Sequence, residues 1–460
     1  MALFAPPSVA RKPLLPAEVN AVKQKILVTG ATGYIGSRVV ERLLAAGHTV
    51  QVLARPRTKP DPEDMLLYLK SLPGAAKQLH VISGDVTDPN ALKAAMHGCD
   101  QLVHLAAVVE LLQPKDEKER QQMVQTAVEG TKMVLDAATA AGSMRKVLLC
   151  SSIVSVMWDW WERGRDHVYT EEDWTLDKSV QLNTYAYCKR ESERLAYKLA
   201  EGKSWELVTI NPGIVFGPVA TRKLAQSISV LAPIVNHMNG MKYPWTSNLS
   251  MSHVDLDDVA AGICGLLATP GAAGRHIMMS SSNPPSMPQI ARLLSAAYPG
   301  AKVPPLTAPE WSVMYLAKFK SAKLGFDLPK FKAMHNKPYK VDASKLARVL
   351  PGFSYISLED SVQAAADSVV AMGLAAVNPV AAARAAAPMA GGENGLEPAT
   401  AAAAAAAEGQ QQIAVVAEVT PKASAELLSG GLEKVSLPGK QQQQQQQQHL
   451  TQQVRPVELC

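Results

Sequence analysis

The stretch KILVTGATGYIGSRVVERLLAAG, beginning at Lys25, constrains the fold more than any other part of the 460-residue chain. An apolar run ends at Thr29, and three glycines follow at three-residue spacing (Gly30, Gly33, Gly36). An amphipathic stretch with Val39, Val40, Leu43 and Leu44 on one side then runs to Gly47, and a second apolar run, TVQVLA, starts at Thr49. Strand, tight turn, helix and strand in that order make a βαβ unit, the building block of a parallel sheet covered by helices. Gly30 permits the sharp strand-to-helix turn, Gly33 lets backbone come close to a bound group, and Gly36 lets helix and sheet pack tightly. The helix start presents unpaired N–H groups and a partial positive charge, which suits a pyrophosphate lying along Tyr34 and Ile35.

The alternation continues through LHVIS (from Leu79), QLVHLA (from Gln101), KVLLCS (from Lys146) and ELVTIN (from Glu206), with helical stretches between them. The expectation is a Rossmann-type, doubly wound parallel α/β sheet over residues 24–374. A smaller C-terminal substrate-binding region comes mainly from 218–250 and 270–352. A last helix begins near Ser357, where Ser357 and Asp360 form a capping-box-like pair. Residues 1–23 read as a disordered lead-in. Residues 375–460, with an alanine run (Ala401 to Ala407) and eight glutamines (Gln441 to Gln448), read as a disordered tail, because such sequence buries too little apolar surface to offset its ordering entropy.

Composition narrows the function. Net charge is +5 with no dense Lys/Arg block, which argues against nucleic acid as a partner. Five scattered cysteines read as reduced and intracellular, and the histidines show no metal-ligand spacing. No apolar run reaches the length of a membrane span, and the first residues lack a secretory h-region. A cytoplasmic location is expected; the low acid content of the N-terminal segment leaves organelle targeting open.

An NAD site usually carries an acid at the end of the second strand, for the ribose 2′-OH. Here that place holds Arg55, which suits the 2′-phosphate of NADPH instead. Arg57 and Lys59 read as solvated loop charges. Further along, NTYAYCKRESERLAYKLAEG reads as a helix with Tyr185 and Lys189 four residues apart on one face. A phenol beside an ammonium can exchange a proton with a carbonyl oxygen while the ammonium holds a ribose. A hydroxyl to orient that oxygen is available from Ser151 or Ser152, just after an apolar strand. Tyr187 and Ser155 read as packing and structural residues, and His104 as a buried, hydrogen-bonded one.

Together these residues resemble the extended short-chain dehydrogenase/reductase superfamily, with its T-G-x-x-G-x-x-G loop and its Ser, Tyr and Lys. Within it the chain is most similar to the dihydroflavonol reductase and cinnamoyl-CoA reductase group. GDVTD, VHLAA, TAVEGTKMVLDAA, LLCSSIVSV, NTYAYCK and NPGIVFGP each resemble a segment of that group. The resemblance implies that Asp85 and Val86 lie by the adenine and Leu105, Ala106 and Ala107 along the cofactor. It puts Pro212, Gly213, Ile214 and Val215 near the nicotinamide and favours Ser152 over Ser151 as the catalytic serine beside Tyr185 and Lys189. The expected activity is NADPH-dependent reduction of a small-molecule carbonyl: an aldehyde, a ketone or an acyl-CoA thioester. Thr126, Thr184 and Cys188 depart from the group's pattern, which keeps simple aldehydes and ketones level with CoA thioesters.

Three alternatives stay open. PEWSVMYLAKFKSAKLGF, followed by YKVDASK, loosely resembles 3β-hydroxysteroid dehydrogenase relatives, which oxidise a sterol alcohol. Its mixture of aromatic and lysine residues fits either membrane-surface contact or, as preferred here, a helix covering the pocket. A nucleotide-sugar epimerase or dehydratase shares the Tyr/Lys pair but usually holds NAD, against which Arg55 counts. A non-catalytic NADP(H)-binding protein is the third.

Overall fold

The computed structural model describes residues 12–375 apart from 57–60, 62, 107–113, 115, 165, 177–182, 228–231, 240–244, 247, 300, 310 and 313–336. Ala107, Arg57, Lys59, residues 1–11, most of the aromatic and lysine-rich stretch and the tail from 376 lie outside the described residues.

Seven strands form one sheet: β1 (Lys25–Thr29), β2 (Thr49–Ala54), β3 (Leu79–Ser83), β4 (Gln101–His104), β5 (Lys146–Cys150), β6 (Glu206–Pro212) and β7 (Gly274–Met278). Every pairing is parallel, in the order β3-β2-β1-β4-β5-β6-β7. The first six are the expected apolar runs; β7 was not among them. The helices that matter here are α1 (Tyr34–Ala45), α2 (Pro89–Met96), α3 (Glu117–Ala141), α4 (Thr184–Ala200), α5 (Leu256–Ala268) and α6 (Leu358–Ala371).

Both faces of the sheet are covered. In β1, Ile26 and Val28 join one core with Val39, Val40, Leu43 and Leu44 of α1 and the apolar residues of α5 and α6. Leu27 points the other way, into a core with Leu92 of α2, Leu135 of α3 and Ala196 of α4. That alternation is the two-residue period of a strand, and burial on both faces explains why β1 reads as an unbroken apolar run. Each such side chain, wholly out of water, contributes roughly 1.5–3 kcal/mol. Caps set the helix starts: Ala186 N donates to Asn183 Oδ1 at 2.8 Å, Asp257 N to Asp255 Oδ1 at 2.8 Å, and Asp360 N to Ser357 Oγ at 3.0 Å. Ser357 is thus the N-cap of the last helix, as its sequence pattern suggests.

The strand order reverses between β1 and β4, which opens a crevice outside the carboxyl ends of those strands. Beyond the same ends, three short parallel pairs extend the domain: Ile214–Phe216 with His253–Asp255, Trp245–Thr246 with Leu306–Thr307, and Val168–Tyr169 with Lys340–Val341. A separate aromatic core containing Trp160, Tyr169 and Tyr339 packs there, with the Trp160 and Tyr339 rings 4.9 Å apart.

The expected disordered lead-in needs correcting over residues 12–23. Pro16–Val19 is a helical turn, Leu15 is buried, and Lys12 pairs with Asp258 at 2.7 Å. The cause is Arg42, on the buried side of α1. Its guanidinium meets Glu18 at 2.6 Å and the Lys12 and Pro13 carbonyls at 2.9 and 2.6 Å. A charge that far from water needs a counter-charge, and the lead-in supplies it.

Candidate active site

Gly30 adopts φ +73°, and a Cβ there would stand 2.7 Å from Ala106 N and 2.8 Å from Leu105 C. A Cβ on Gly36 would lie 2.1 Å from Gly30 O. The turn therefore closes only with glycine at both positions, and it sets Leu105 and Ala106 directly beside the loop. Gly33 is the N-cap of α1, so the helix's unpaired N–H groups open onto the crevice. Tyr34 OH donates to Gly217 O at 2.9 Å, and Ile35 packs against the core.

Arg55 follows the last residue of β2, its side chain 82% exposed and 3.9 Å from Asp85 Oδ2. Asp85 accepts from Thr87 N and Thr87 Oγ1, both at 2.9 Å. The backbone bond, then the hydroxyl and Arg55, hold its carboxyl below the usual carboxylate range. Val86 packs against the Leu27-side core. Pro212 ends β6, and a Cβ on Gly213 would come 2.6 Å from Ser252 O. Ile214 and Val215 then run in register with His253 and Val254. A glycine cradle at a helix start, with an arginine past the second strand, fits a dinucleotide bearing a 2′-phosphate.

The second half of the site joins β5 to α4. Ser152 caps the short 3-10 turn Ile153–Ser155, with Val154 N 3.4 Å from its Oγ. Tyr185 sits in the first turn of α4 and Lys189 one turn on; both are half-buried. Lys189 Nζ donates to Cys150 O at 3.1 Å and stands 5.9 Å from the centre of the Tyr185 ring. The helix carrying the Tyr/Lys pair is therefore tied to the strand end carrying the serines.

Hydrogen bonding distinguishes the two serines. Ser151 is buried and donates to Glu193 Oε2 at 2.6 Å. Ser152 is half-buried, and its hydroxyl donates to no described residue. His104 is buried with Nδ1 2.7 Å from Thr29 Oγ1; burial first, and Lys189 second, push its pKa down to about 4, so it is neutral. Tyr187 lies under the Arg190 guanidinium, 4.9 Å from its ring centre.

Three site-forming residues escaped the sequence reading: Glu193, Asn211 and Arg275. Asn211 Nδ2 lies 2.9 Å from Glu193 Oε2 and 3.3 Å from Ser152 O, and Arg275 Nε donates to Glu193 Oε1 at 2.8 Å. A signal for Glu193 was present, since it stands four residues beyond Lys189 and eight beyond Tyr185 on the same helical face.

Four of the chain's cysteines (Cys99, Cys150, Cys188, Cys264) are described and unpaired. Among the described residues no His/Cys/Asp/Glu cluster could hold a metal, and no helix is long and apolar enough to cross a membrane.

Residues 26–279 match the NAD dependent epimerase/dehydratase family. Cinnamoyl-CoA reductase 1 of Arabidopsis thaliana is 33% identical over 294 residues, 63% of this chain and 80% of the relative. Dihydroflavonol 4-reductase of Zea mays is 32% identical over 293 residues, 61% of this chain and 76% of the relative. The structure of yeast methylglyoxal/isovaleraldehyde reductase complexed with NADPH superposes with a TM-score of 0.61 at 19% identity, covering 76% of this chain and 99% of that one. With more than half of its length matched, and with the glycine cradle and the Tyr/Lys helix in place, the chain belongs to the NAD dependent epimerase/dehydratase family of extended short-chain dehydrogenases/reductases.

Proposed function

We propose that this protein is an NADPH-dependent oxidoreductase that reduces the carbonyl group of a small molecule, an aldehyde, a ketone or an acyl-CoA thioester. The observation that carries this reading is the 3.1 Å bond from Lys189 Nζ to Cys150 O, which brings the Tyr185/Lys189 helix to the Ser152 turn. Relatives named as reductases of cinnamoyl-CoA and dihydroflavonol support the reaction class, and the NADPH complex of the yeast relative supports the cofactor.

When bound, NADPH supplies the hydride. Gly30, Gly33 and Gly36, with Tyr34 and Ile35 at the start of α1, would hold its pyrophosphate, and Arg55 its 2′-phosphate. Asp85 and Val86 would border the adenine, Leu105 and Ala106 the middle, and Pro212, Gly213, Ile214 and Val215 the nicotinamide end. Tyr185 gives its hydroxyl proton to the carbonyl oxygen as negative charge develops there. Ser152 donates a hydrogen bond to the same oxygen and fixes its direction. Lys189 steadies the phenolate left on Tyr185 and holds the nicotinamide ribose. Donors fixed before the reaction favour the charged transition state over the neutral ground state.

The test is NADPH against NADH consumption at 340 nm with aromatic aldehydes, dihydroflavonols, hydroxycinnamoyl-CoAs and simple ketones. NADPH-dependent turnover should fall roughly 10²–10⁴-fold in Tyr185→Phe, the usual worth of a positioned proton donor. No turnover with any carbonyl, although NADPH binds, refutes the reductase reading.

A further inference from the structure

Beneath the Ser152 turn lies a carboxylate with no exposure to solvent. Glu193 Oε2 is 2.6 Å from Ser151 Oγ, 2.6 Å from Ser155 Oγ and 2.9 Å from Asn211 Nδ2. Its Oε1 accepts from Thr209 Oγ1 at 3.0 Å and from Arg275 Nε at 2.8 Å. Five donors fill the acceptor capacity of one carboxylate. Two of those donors bracket Ser152 in sequence. A serine has one hydroxyl proton, and a buried carboxylate is a stronger acceptor than a neutral carbonyl. Ser151 therefore donates its hydrogen bond to Glu193, as does Ser155 in preference to the Ser152 carbonyl 2.8 Å from its Oγ, and Asn211 donates to that carbonyl at 3.3 Å. The Ser152 hydroxyl donates to none of these groups.

Arg275 is the counter-charge. Its Nη1 donates to the Glu171 and Asp173 carbonyls at 2.7 and 2.5 Å, and its guanidinium stacks 3.8 Å from the centre of the Trp174 ring. These contacts anchor the segment that leads back to Val168–Tyr169, while Nη2 lies 3.5 Å from Ser155 Oγ.

We propose that Glu193 is the positioning residue of the reaction, accepting the hydrogen bonds of Ser151 and Ser155 so that Ser152 alone presents a donor, in a fixed direction, to the substrate oxygen. The proposal rests on the reductase reading. Glu193 touches no substrate; it acts through the turn. A group whose only role is stability would not need this arrangement, since a buried ion pair contributes little net stability compared with apolar residues of the same shape.

The test compares Ser151→Ala/Ser155→Ala, which leaves the Glu193–Arg275 pair whole, with Trp174→Leu, which removes the ring stacked on Arg275 and leaves all five donors to Glu193 in place. In the double serine variant kcat for cinnamaldehyde should fall roughly 10- to 100-fold, because small misplacements of a reacting group cost that much. KM for the aldehyde and Kd for NADPH should stay within about threefold. Amide exchange across residues 150–157 should quicken by about tenfold, the loss expected from one buried hydrogen bond. Trp174→Leu should lower Tm and keep kcat within about threefold; should that variant not fold, the serine pair still decides. An unchanged kcat in the serine variant overturns the proposal, as does faster exchange without loss of kcat. A Trp174→Leu loss of kcat equal to the serine variant's overturns it too, by making the effect one of stability. Failure of the wild type to oxidise NADPH with any carbonyl is a separate result that sinks the reductase reading. The exchange measurement needs no substrate, so unaltered exchange across 150–157 would still refute the holding role of Glu193.

Discussion

Gly36→Ala is the substitution for which the structure gives the sharpest expectation. Gly36 lies inside α1, where alanine is intrinsically the better helix former by about 1 kcal/mol. Nothing in its backbone conformation requires glycine. Its surroundings do: the added Cβ would lie 2.1 Å from Gly30 O, 2.8 Å from Gly30 C and 2.9 Å from Ala31 Cα, where ordinary contact begins at 3.4 Å. The loop and helix would have to part by about 1.3 Å (3.4 − 2.1), and all three obstacles are backbone atoms. Overpacking of that kind costs typically 1–3 kcal/mol, enough to outweigh the helical gain. The displaced atoms belong to the phosphate turn, so NADPH affinity should fall by about tenfold or more, the worth of one or two charge-assisted hydrogen bonds.

Gly130→Ala is the matched control, since Gly130 also lies inside a helix, α3, with nothing within 4 Å of its would-be Cβ. It should gain up to about 1 kcal/mol and leave NADPH binding untouched. Urea unfolding gives the stability of both variants, and titration of NADPH fluorescence gives the affinity. Gly36→Ala equal to wild type in both measurements would refute the close-approach argument.

Arg55→Ala should weaken NADPH binding by about tenfold while leaving NADH binding and Tm unchanged, because the lost contact is to a phosphate and the side chain is 82% exposed; an equal effect on both cofactors in isothermal titration would remove Arg55 from the site. Glu18→Gln strips the buried Arg42 of its counter-charge and should cost about 3–5 kcal/mol in urea unfolding, with partial recovery in Glu18→Leu/Arg42→Met; no loss would mean that residues 12–20 do not dock. Stability should also depend on pH. Burial lowers the pKa of His104, His253 and His276 to about 4, so the folded protein binds fewer protons than the unfolded chain between the ordinary value of 6.5 and about 4. Their contribution is full above pH 6.5 and fades as pH falls toward 4. Asp258, raised by burial to about 6, works the opposite way, and the net expectation is a loss of about 2 kcal/mol from pH 6.5 to 5.5. A flat or rising stability over that interval would contradict neutral burial of the three histidines.

The parts of the fold legible in the sequence are those whose burial is local in pattern. β1, β2, β4, β5 and β6 read as apolar runs because the central strands of a parallel sheet are covered on both faces, whereas β3 is an edge strand and only partly buried. β7 did not, since GRHIM carries Arg275 and His276 within five residues. Arg275 is buried only because Glu193, far along the chain, satisfies it, whereas His276 pairs with the Ala272 carbonyl four residues back. Arg42 hid the docking of the lead-in for the same reason. The candidate site divides along the same line. Tyr185 and Lys189 stand out because one helical turn puts them together, and the glycine loop because its spacing follows from backbone contact. Ser151 and Ser152 are adjacent on a turn, where no periodicity ranks them. What distinguishes their hydrogen bonding is Glu193 and Asn211, brought under the turn by α4 and β6.

Charge placement around Lys189 joins the two halves of the argument. Glu193 is one helical turn away and is the nearest acid on that face, yet its carboxylate is filled by five donors, one of them the Arg275 guanidinium. His104 is close enough for the ammonium to depress its pKa, and at about 4 it stays neutral above pH 5 and adds no like charge. Among the described residues no carboxylate stands in salt-bridge reach of Lys189, whose single hydrogen bond goes to the Cys150 carbonyl. Its positive charge is held in place without being cancelled. In the proposed mechanism an ammonium cancelled by a carboxylate would offer little to a phenolate forming on Tyr185, whereas one anchored by a neutral carbonyl would keep nearly its full field there. On this reasoning an acid brought near Lys189 does more harm than loss of a neighbouring neutral contact. Cys150, the half-buried residue whose carbonyl anchors the ammonium, is the position where that acid would act most directly.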